Sequence, residues 1–170
     1  FIDNFKTRQE LGASVALCLE GEYVVDLWAG YMDEQRTIPW QRDTLVNVWS
    51  VGKAVTAVAT LKALQMHGIS IDDPVCKVWS EFASQGKDDI TFAMAMSHQA
   101  GLCAIEKPLP ADAFFHWDLM QNALAEQRPF WEPGTKHGYH TNTFGFLLGE
   151  PVRRITGMHL NEFMQQEVAS

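Results

Sequence analysis

The clearest hydrophobic pattern in the chain runs from residue 50 to residue 68. Ala54, Val55, Ala57, Val58, Leu61 and Leu64 cover most directions of a helix, and Thr56, Thr60 and His67 leave only a thin polar stripe. A helix apolar nearly all round is a buried one, so this spacing predicts a buried helix. It opens on Ser50, carries Lys53 in its first turn, and ends at Gly68, a suitable C′ residue. Towards the N-terminus, "ASVALCLE" (13–20) and "YVVDLWAG" (23–30) are two β-rich runs around a Gly-containing turn, the pattern of a hairpin. Both runs are apolar at nearly every position, which predicts a sheet covered on both faces.

After Gly68 the pattern turns helical in shorter pieces. "SIDDPVCKVW" reads as a turn around Pro74. "DDITFAMAMSHQAGL" predicts a short helix capped by Thr91 and stopped near Gly101. A helix is predicted from about Asp112 to Gln127, then a long Pro, Gly and aromatic loop, "RPFWEPGTKHGYHTN". Helical signal returns in "TFGFLLGEPVRRI", where Pro151 should kink or interrupt it. The final "NEFMQQEVAS" reads as an unfinished amphipathic helix. Strands first and helices afterwards indicate an α+β chain, with residues 1–45 belonging to a sheet region and 46–170 to a helical one. A two-stranded hairpin is marginal alone. Its expected partners lie outside these 170 residues, and the chain reads as the N-terminal part of a longer protein.

Composition narrows the function. Of the residues, 46% are apolar and 20% charged, enough for a sizeable core. A net charge of −8 without a basic run argues against a nucleic-acid partner. No apolar stretch reaches the ~18 residues of a membrane span, and no secretory leader is visible. Cys18, Cys76 and Cys103 are odd in number and form no C-x-x-C. Reduced, buried thiols in a cytoplasmic protein are expected. No cofactor or metal is expected. His137 and His140 have no evident third ligand, and Phe130 and Trp131 read as core residues or loop anchors rather than a stacking platform.

The chemistry centres on Ser50 and Lys53, three apart and therefore on one helical face with Cβ atoms ~5–6 Å apart. A serine hydroxyl becomes a nucleophile when a neighbouring base takes its proton. At the ordinary lysine pKa of ~10.4, about one in 2,500 is neutral at pH 7. Burial and the positive end of a helix both push that pKa down. The pattern alone is weak, since roughly one Ser-x-x-Lys arises by chance in a chain of this size. Taken alone, Ser50 and Lys53 fit a helix cap beside a snorkelling lysine equally well. A second copy, Ser84 to Lys87, lies in the polar stretch "ASQGKDD". Its lysine is expected in solvent and the copy is read as a decoy. "GASVA" leads into a strand rather than leaving one, which excludes Ser14 as a nucleophile elbow. "VGKA" lacks the residues a P-loop requires, with Asn47 and Ala54 in their places.

Read together, "SVGK" (50–53), "MSHQAGL" (96–102) and "WEPGTKHGYHTNTFGFLLGE" (131–150) resemble the serine β-lactamase-like hydrolases. That superfamily includes class C β-lactamases, DD-peptidases and family VIII carboxylesterases, and the wording is nearest the esterase branch. The resemblance implies a β-lactamase/transpeptidase-like fold, an antiparallel sheet packed with a helical subdomain. It implies Ser50 as acylated nucleophile, Lys53 as activating lysine and Tyr139 as proton relay, with either of the last two as resting base. It places His140 and Thr141 against substrate. Thr141 stands where class C β-lactamases carry asparagine, which favours small esters over lactams. The family's third motif, a strand near the C-terminus that completes the oxyanion hole, has no match here. The implied function is hydrolysis of small esters through an acyl-enzyme. A β-lactamase or DD-peptidase, and a non-catalytic binding protein on the same fold, are the alternatives. Oligomeric state is not legible.

Overall fold

A computed structural model of the chain describes residues 1–169. It divides into two compact units, Phe1–Asn47 and Val48 onward.

The first unit holds a short helix α1 (Ile2–Thr7) and strands β1 (Gly12–Leu19) and β2 (Glu22–Gly30). The strands pair antiparallel, from Gly12 opposite Gly30 to Leu19 opposite Glu22, with a register shift between Leu17 and Cys18. The two-residue turn is Glu20–Gly21, one position earlier than the sequence suggested, and both residues have positive φ (51° and 88°). That is the backbone a type I′ hairpin turn demands. Arg42 ties the loop after β2 to Asp26 at 2.7 Å. The expectation of a doubly covered sheet does not hold for this chain. Val15, Leu17, Leu19, Tyr23, Val24, Leu27 and Trp28 are all exposed. The physical reason is that the described sheet contains β1 and β2 alone.

The second unit is helical: α2 (Gly52–Met66), α3 (Phe92–Met96), α4 (Trp117–Glu126), α5 (Phe144–Thr156) and α6 (Leu160–Phe163), with a π-helical turn over Met164–Val168. Its core gathers Leu64, Trp79, Phe82, Phe92, Leu102, Leu124, Phe144 and Leu148 around α5, against which α2, α3, α4 and α6 pack. Thr91 caps α3 as its spacing predicted, accepting the Met94 N–H at 3.1 Å. Gly68 takes φ +66° after α2, and the Ile69 and Gly68 N–H groups donate to the Leu64 and Gln65 carbonyls. This is a Schellman ending, which favours glycine at the left-handed position. Helix α5 runs through Pro151 without a break. Glu150, fully buried on α5, accepts from Arg153, Arg154 and the Trp117 indole, and Arg154 reaches on to Glu81. These bonds pin α4 and the turn over residues 80–83 to α5.

Three expectations need correction here. Helix α2 is not enclosed: Ala59, Thr60, Ala63 and Leu64 are buried, while Val55, Val58 and Leu61 are exposed. Its packing partners within the described unit lie on one side, chiefly α5. The cysteines are free, yet Cys18 is exposed and the other two are only half-buried. Lys87, expected in solvent, is fully buried. Its Nζ donates to the carbonyls of Ser84 (2.8 Å), Ala125 (2.8 Å) and Gln127 (2.7 Å). Polar neighbours in sequence did not keep it wet, because the carbonyls around the end of α4 need donors.

Candidate active site

Ser50 lies in a 3₁₀ turn, Trp49–Val51, immediately ahead of α2. Trp49 has φ +46°, a left-handed conformation that a bulky residue rarely takes. Ser50 therefore leaves a tight bend rather than the body of the helix, and it is exposed. Lys53 follows as the second residue of α2. Its half-buried side chain donates to Ser50 Oγ at 3.3 Å and to the Thr141 carbonyl at 2.8 Å. The Lys53 ammonium lies 4.8 Å from the centre of the Tyr139 ring. A hydrogen bond with Ser50, and the adjacent Lys53 charge, hold the Tyr139 phenol below its ordinary range. Three polar groups from two distant stretches of sequence thus meet at one point. A hydroxyl, an ammonium and a phenol within reach of one another can pass protons among themselves.

The loop that delivers Tyr139 runs between α4 and α5 without regular structure. Gly138 fits because a Cβ there would collide with the Trp131 ring. Trp131 also meets His140 edge-on, with centroids 6.3 Å apart, so it does anchor this loop.

His140 was placed against substrate by resemblance, but its ring is fully buried. Its Nε2 accepts the Leu102 N–H at 3.0 Å, and its Nδ1 lies 2.6 Å from the Gly138 carbonyl. The carbonyl requires a proton on Nδ1, and the amide requires a lone pair on Nε2. That fixes a neutral tautomer, and burial pushes the imidazole pKa down to about 4. His140 holds the loop from beneath, with no polar atom left for a ligand. Thr141 does reach the site, through its main-chain carbonyl on Lys53 rather than its side chain.

Sequence reasoning assigned no role to His98. It lies half-buried between Tyr139 and Phe144, with ring centroids 4.8 Å and 5.0 Å away. The only signal was its place in "SHQAGL". A cavity of about 420 Å³ opens beside the loop, lined in part by Cys103, Ile105, Leu109, Phe114, Asn142 and Thr143. Asn142 and Thr143 in its wall follow Thr141 in sequence, and Ser50, Lys53 and Tyr139 do not line it. Among the described residues no cluster of three or more His, Cys, Asp or Glu is gathered as a metal site, and no helix is long and apolar enough to cross a membrane.

Comparison with known proteins places this geometry. The beta-lactamase family model matches residues 1–170, and the chain belongs to that family. An esterase/beta-lactamase, LipL of Mycobacterium tuberculosis, is 32% identical over 169 residues, covering 99% of this chain and 39% of that protein. A solved penicillin-binding protein homologue from Caulobacter crescentus superposes with a TM-score of 0.90 at 38% identity, covering 99% of this chain and 45% of its own. A solved family VIII carboxylesterase gives 0.88 at 42% identity, covering 99% and 46%. The fold is the β-lactamase/transpeptidase-like one, and the chain spans less than half the length of these relatives.

Proposed function

We propose that this beta-lactamase-family chain carries the nucleophilic half of a serine hydrolase that cleaves small esters through an acyl-enzyme on Ser50. The observation that carries the reading is the meeting of Lys53 Nζ with Ser50 Oγ at 3.3 Å beside a phenol held below its ordinary pKa. Tyr139 or Lys53 takes the hydroxyl proton as Ser50 Oγ attacks the ester carbonyl. The proton passes to the departing alkoxide, and water then attacks the acyl carbonyl by the same route in reverse. The cavity that begins at Asn142 suits the apolar part of a small substrate, with Ile105, Leu109 and Phe114 in its wall.

Esters are favoured over lactams by Thr141, whose side chain offers no amide, and by the likeness to the family VIII carboxylesterase. A lactam substrate is the second reading, supported by the likeness to the penicillin-binding protein homologue. Turnover is proposed for the longer protein, in which a second oxyanion donor supports the Ser50 N–H. Removing one such donor costs on the order of 10²–10³ in kcat.

The test uses that longer protein with p-nitrophenyl butyrate and nitrocefin, together with mass mapping of a fluorophosphonate adduct. A label on Ser50 and a higher kcat/KM for the ester are expected. A label on Ser84 or Ser14 would refute the nucleophile, and a higher kcat/KM for nitrocefin would reverse the substrate order.

A further inference from the structure

Tyr139 has neither helix nor strand beneath it, yet its phenol must be placed to within about an ångström, a tolerance beyond which ~10²-fold in rate is lost. One residue brackets it on both sides. The Gly138 N–H donates to the His98 carbonyl at 3.1 Å, and the His140 N–H donates to His98 Nδ1 at 3.1 Å. Between those two bonds the His98 ring lies against the Tyr139 ring. His98 has φ +63°, in the left-handed region. With this backbone both its carbonyl and its ring reach the same segment. A non-glycine residue seldom adopts it unless the surroundings hold it there.

We propose that His98 is the positioning residue for Tyr139, a neutral imidazole whose Nδ1 acceptor and main-chain carbonyl clamp residues 138–140 so that the phenol meets Ser50 and Lys53. The kinetic consequence rests on the hydrolase reading above; the structural one does not. Accepting at Nδ1 requires the ring proton on Nε2. Burial, with the Lys53 and His137 charges nearby, holds the imidazole below its ordinary range, so the clamp is closed at neutral pH. The groups facing the ring are Lys53 from α2, Phe144 from α5, and His137, Tyr139 and His140 from the loop. Protonation in acid would set an N–H donor against the His140 N–H and open the clamp.

Two variants separate the ring's role from the backbone's. His98→Gly accepts the left-handed φ and removes the acceptor. His98→Asn tolerates that φ and returns an oxygen acceptor near the place of Nδ1. The readout is the Tyr139 phenol titration, followed by ¹³C NMR of ring-labelled tyrosine and assigned with Tyr139→Phe. In His98→Gly we expect the titration to rise towards the ordinary ~10, and kcat of the longer protein to fall ~10²-fold with little change in KM. His98→Asn restores most of both. A Tyr139 titration unmoved in His98→Gly, or an asparagine variant no better than glycine, overturns the proposal. Should His98→Gly fail to fold, the imidazole ¹⁵N spectrum of the unaltered protein decides. A neutral Nε2–H tautomer at pH 7 supports the clamp, and an Nδ1–H tautomer or an imidazolium overturns it. If the protein hydrolyses nothing, the phenol titration and the ¹⁵N spectrum still read the clamp, so the two failures are told apart.

Discussion

The chain contains the same four-residue pattern twice, and the two copies have opposite fates. At Ser50–Lys53 the lysine is half-buried, its Nζ meets the serine Oγ, and a phenol stands beside both. At Ser84–Lys87 the lysine is fully buried and meets Ser84 only at its carbonyl, while the Ser84 hydroxyl donates to the Ala125 carbonyl. Burial pushes Lys87 down to about 8, so a depressed lysine is present at the copy with no nucleophile to activate. What separates the two is the set of acceptors. Three carbonyls consume every N–H of the Lys87 ammonium. Lys53 meets one carbonyl and the serine oxygen. A perturbed lysine is therefore a weak guide to catalysis unless its neighbours leave it something to do.

The largest effect that can break this contrast is loss of the nucleophile. Ser50→Ala in the longer protein should reduce p-nitrophenyl butyrate turnover by ~10⁴-fold or more, the scale seen when a covalent nucleophile is removed. Ser84→Ala should leave turnover per folded molecule unchanged. Comparable losses in both variants would erase the distinction.

How far was this legible in the sequence? The nearness of Ser50 and Lys53 was legible from their spacing at a helix start, whereas Tyr139 joined them only through the resemblance carried by three ordered motifs. Helix α2 itself was legible from periodicity, but its burial was not. Periodicity reports how apolar a helix is, and Val55 and Val58 are apolar yet exposed in the described chain. Lys87 was misplaced because sequence neighbours say nothing of carbonyls forty residues away at the end of α4. His140 was misplaced because resemblance carries a residue type to a position without saying which way its ring is turned.

The second test concerns the floor of the first site. His140 titrates at about 4 in the fold, below the ordinary ~6.5. Its neutral form contributes stability that is fully present above pH 6.5 and is lost as pH falls towards 4. The loss should approach roughly 3 kcal/mol. Urea melts of wild type between pH 7 and 4 should show it. In His140→Gln an amide oxygen can accept the Leu102 N–H without titrating, so this part of the acid sensitivity should disappear. An unchanged pH slope would mean that His140 is not what holds the loop.

Next in size is the decoy. Lys87→Met leaves the Ser84 and Gln127 carbonyls without their buried donor, while Ala125 keeps the Ser84 hydroxyl. A stranded buried acceptor such as the Gln127 carbonyl costs ~1–3 kcal/mol, the partly buried Ser84 carbonyl less, and relief of ammonium desolvation offsets part of that. A net loss of about 2 kcal/mol is expected from the urea midpoint, with ester turnover per folded molecule unchanged. A stable variant with impaired turnover would move Lys87 from the scaffold to the chemistry.

The smallest effect should come from Thr141→Asn, the change that restores the residue class C β-lactamases carry. Thr141 serves Lys53 through its main-chain carbonyl, which the substitution leaves in place. Its side chain is exposed, so a larger amide meets no packed neighbour that must give way. Ester turnover should accordingly change by no more than ~3-fold, less than ~1 kcal/mol. What the amide adds is a donor and an acceptor on the residue next in sequence to Asn142, which lines the cavity. A lactam with an amide side chain can use such a group, whereas a simple alkyl ester cannot. The kcat/KM ratio of nitrocefin to p-nitrophenyl butyrate should therefore rise by a few-fold, ~1 kcal/mol at most, the usual net value of one hydrogen bond. A fall in ester turnover by ~10² would show instead that the Thr141 side chain takes part in the proton chemistry. The contrast between the two Ser-x-x-Lys copies would then rest on one more side chain than the geometry assigns.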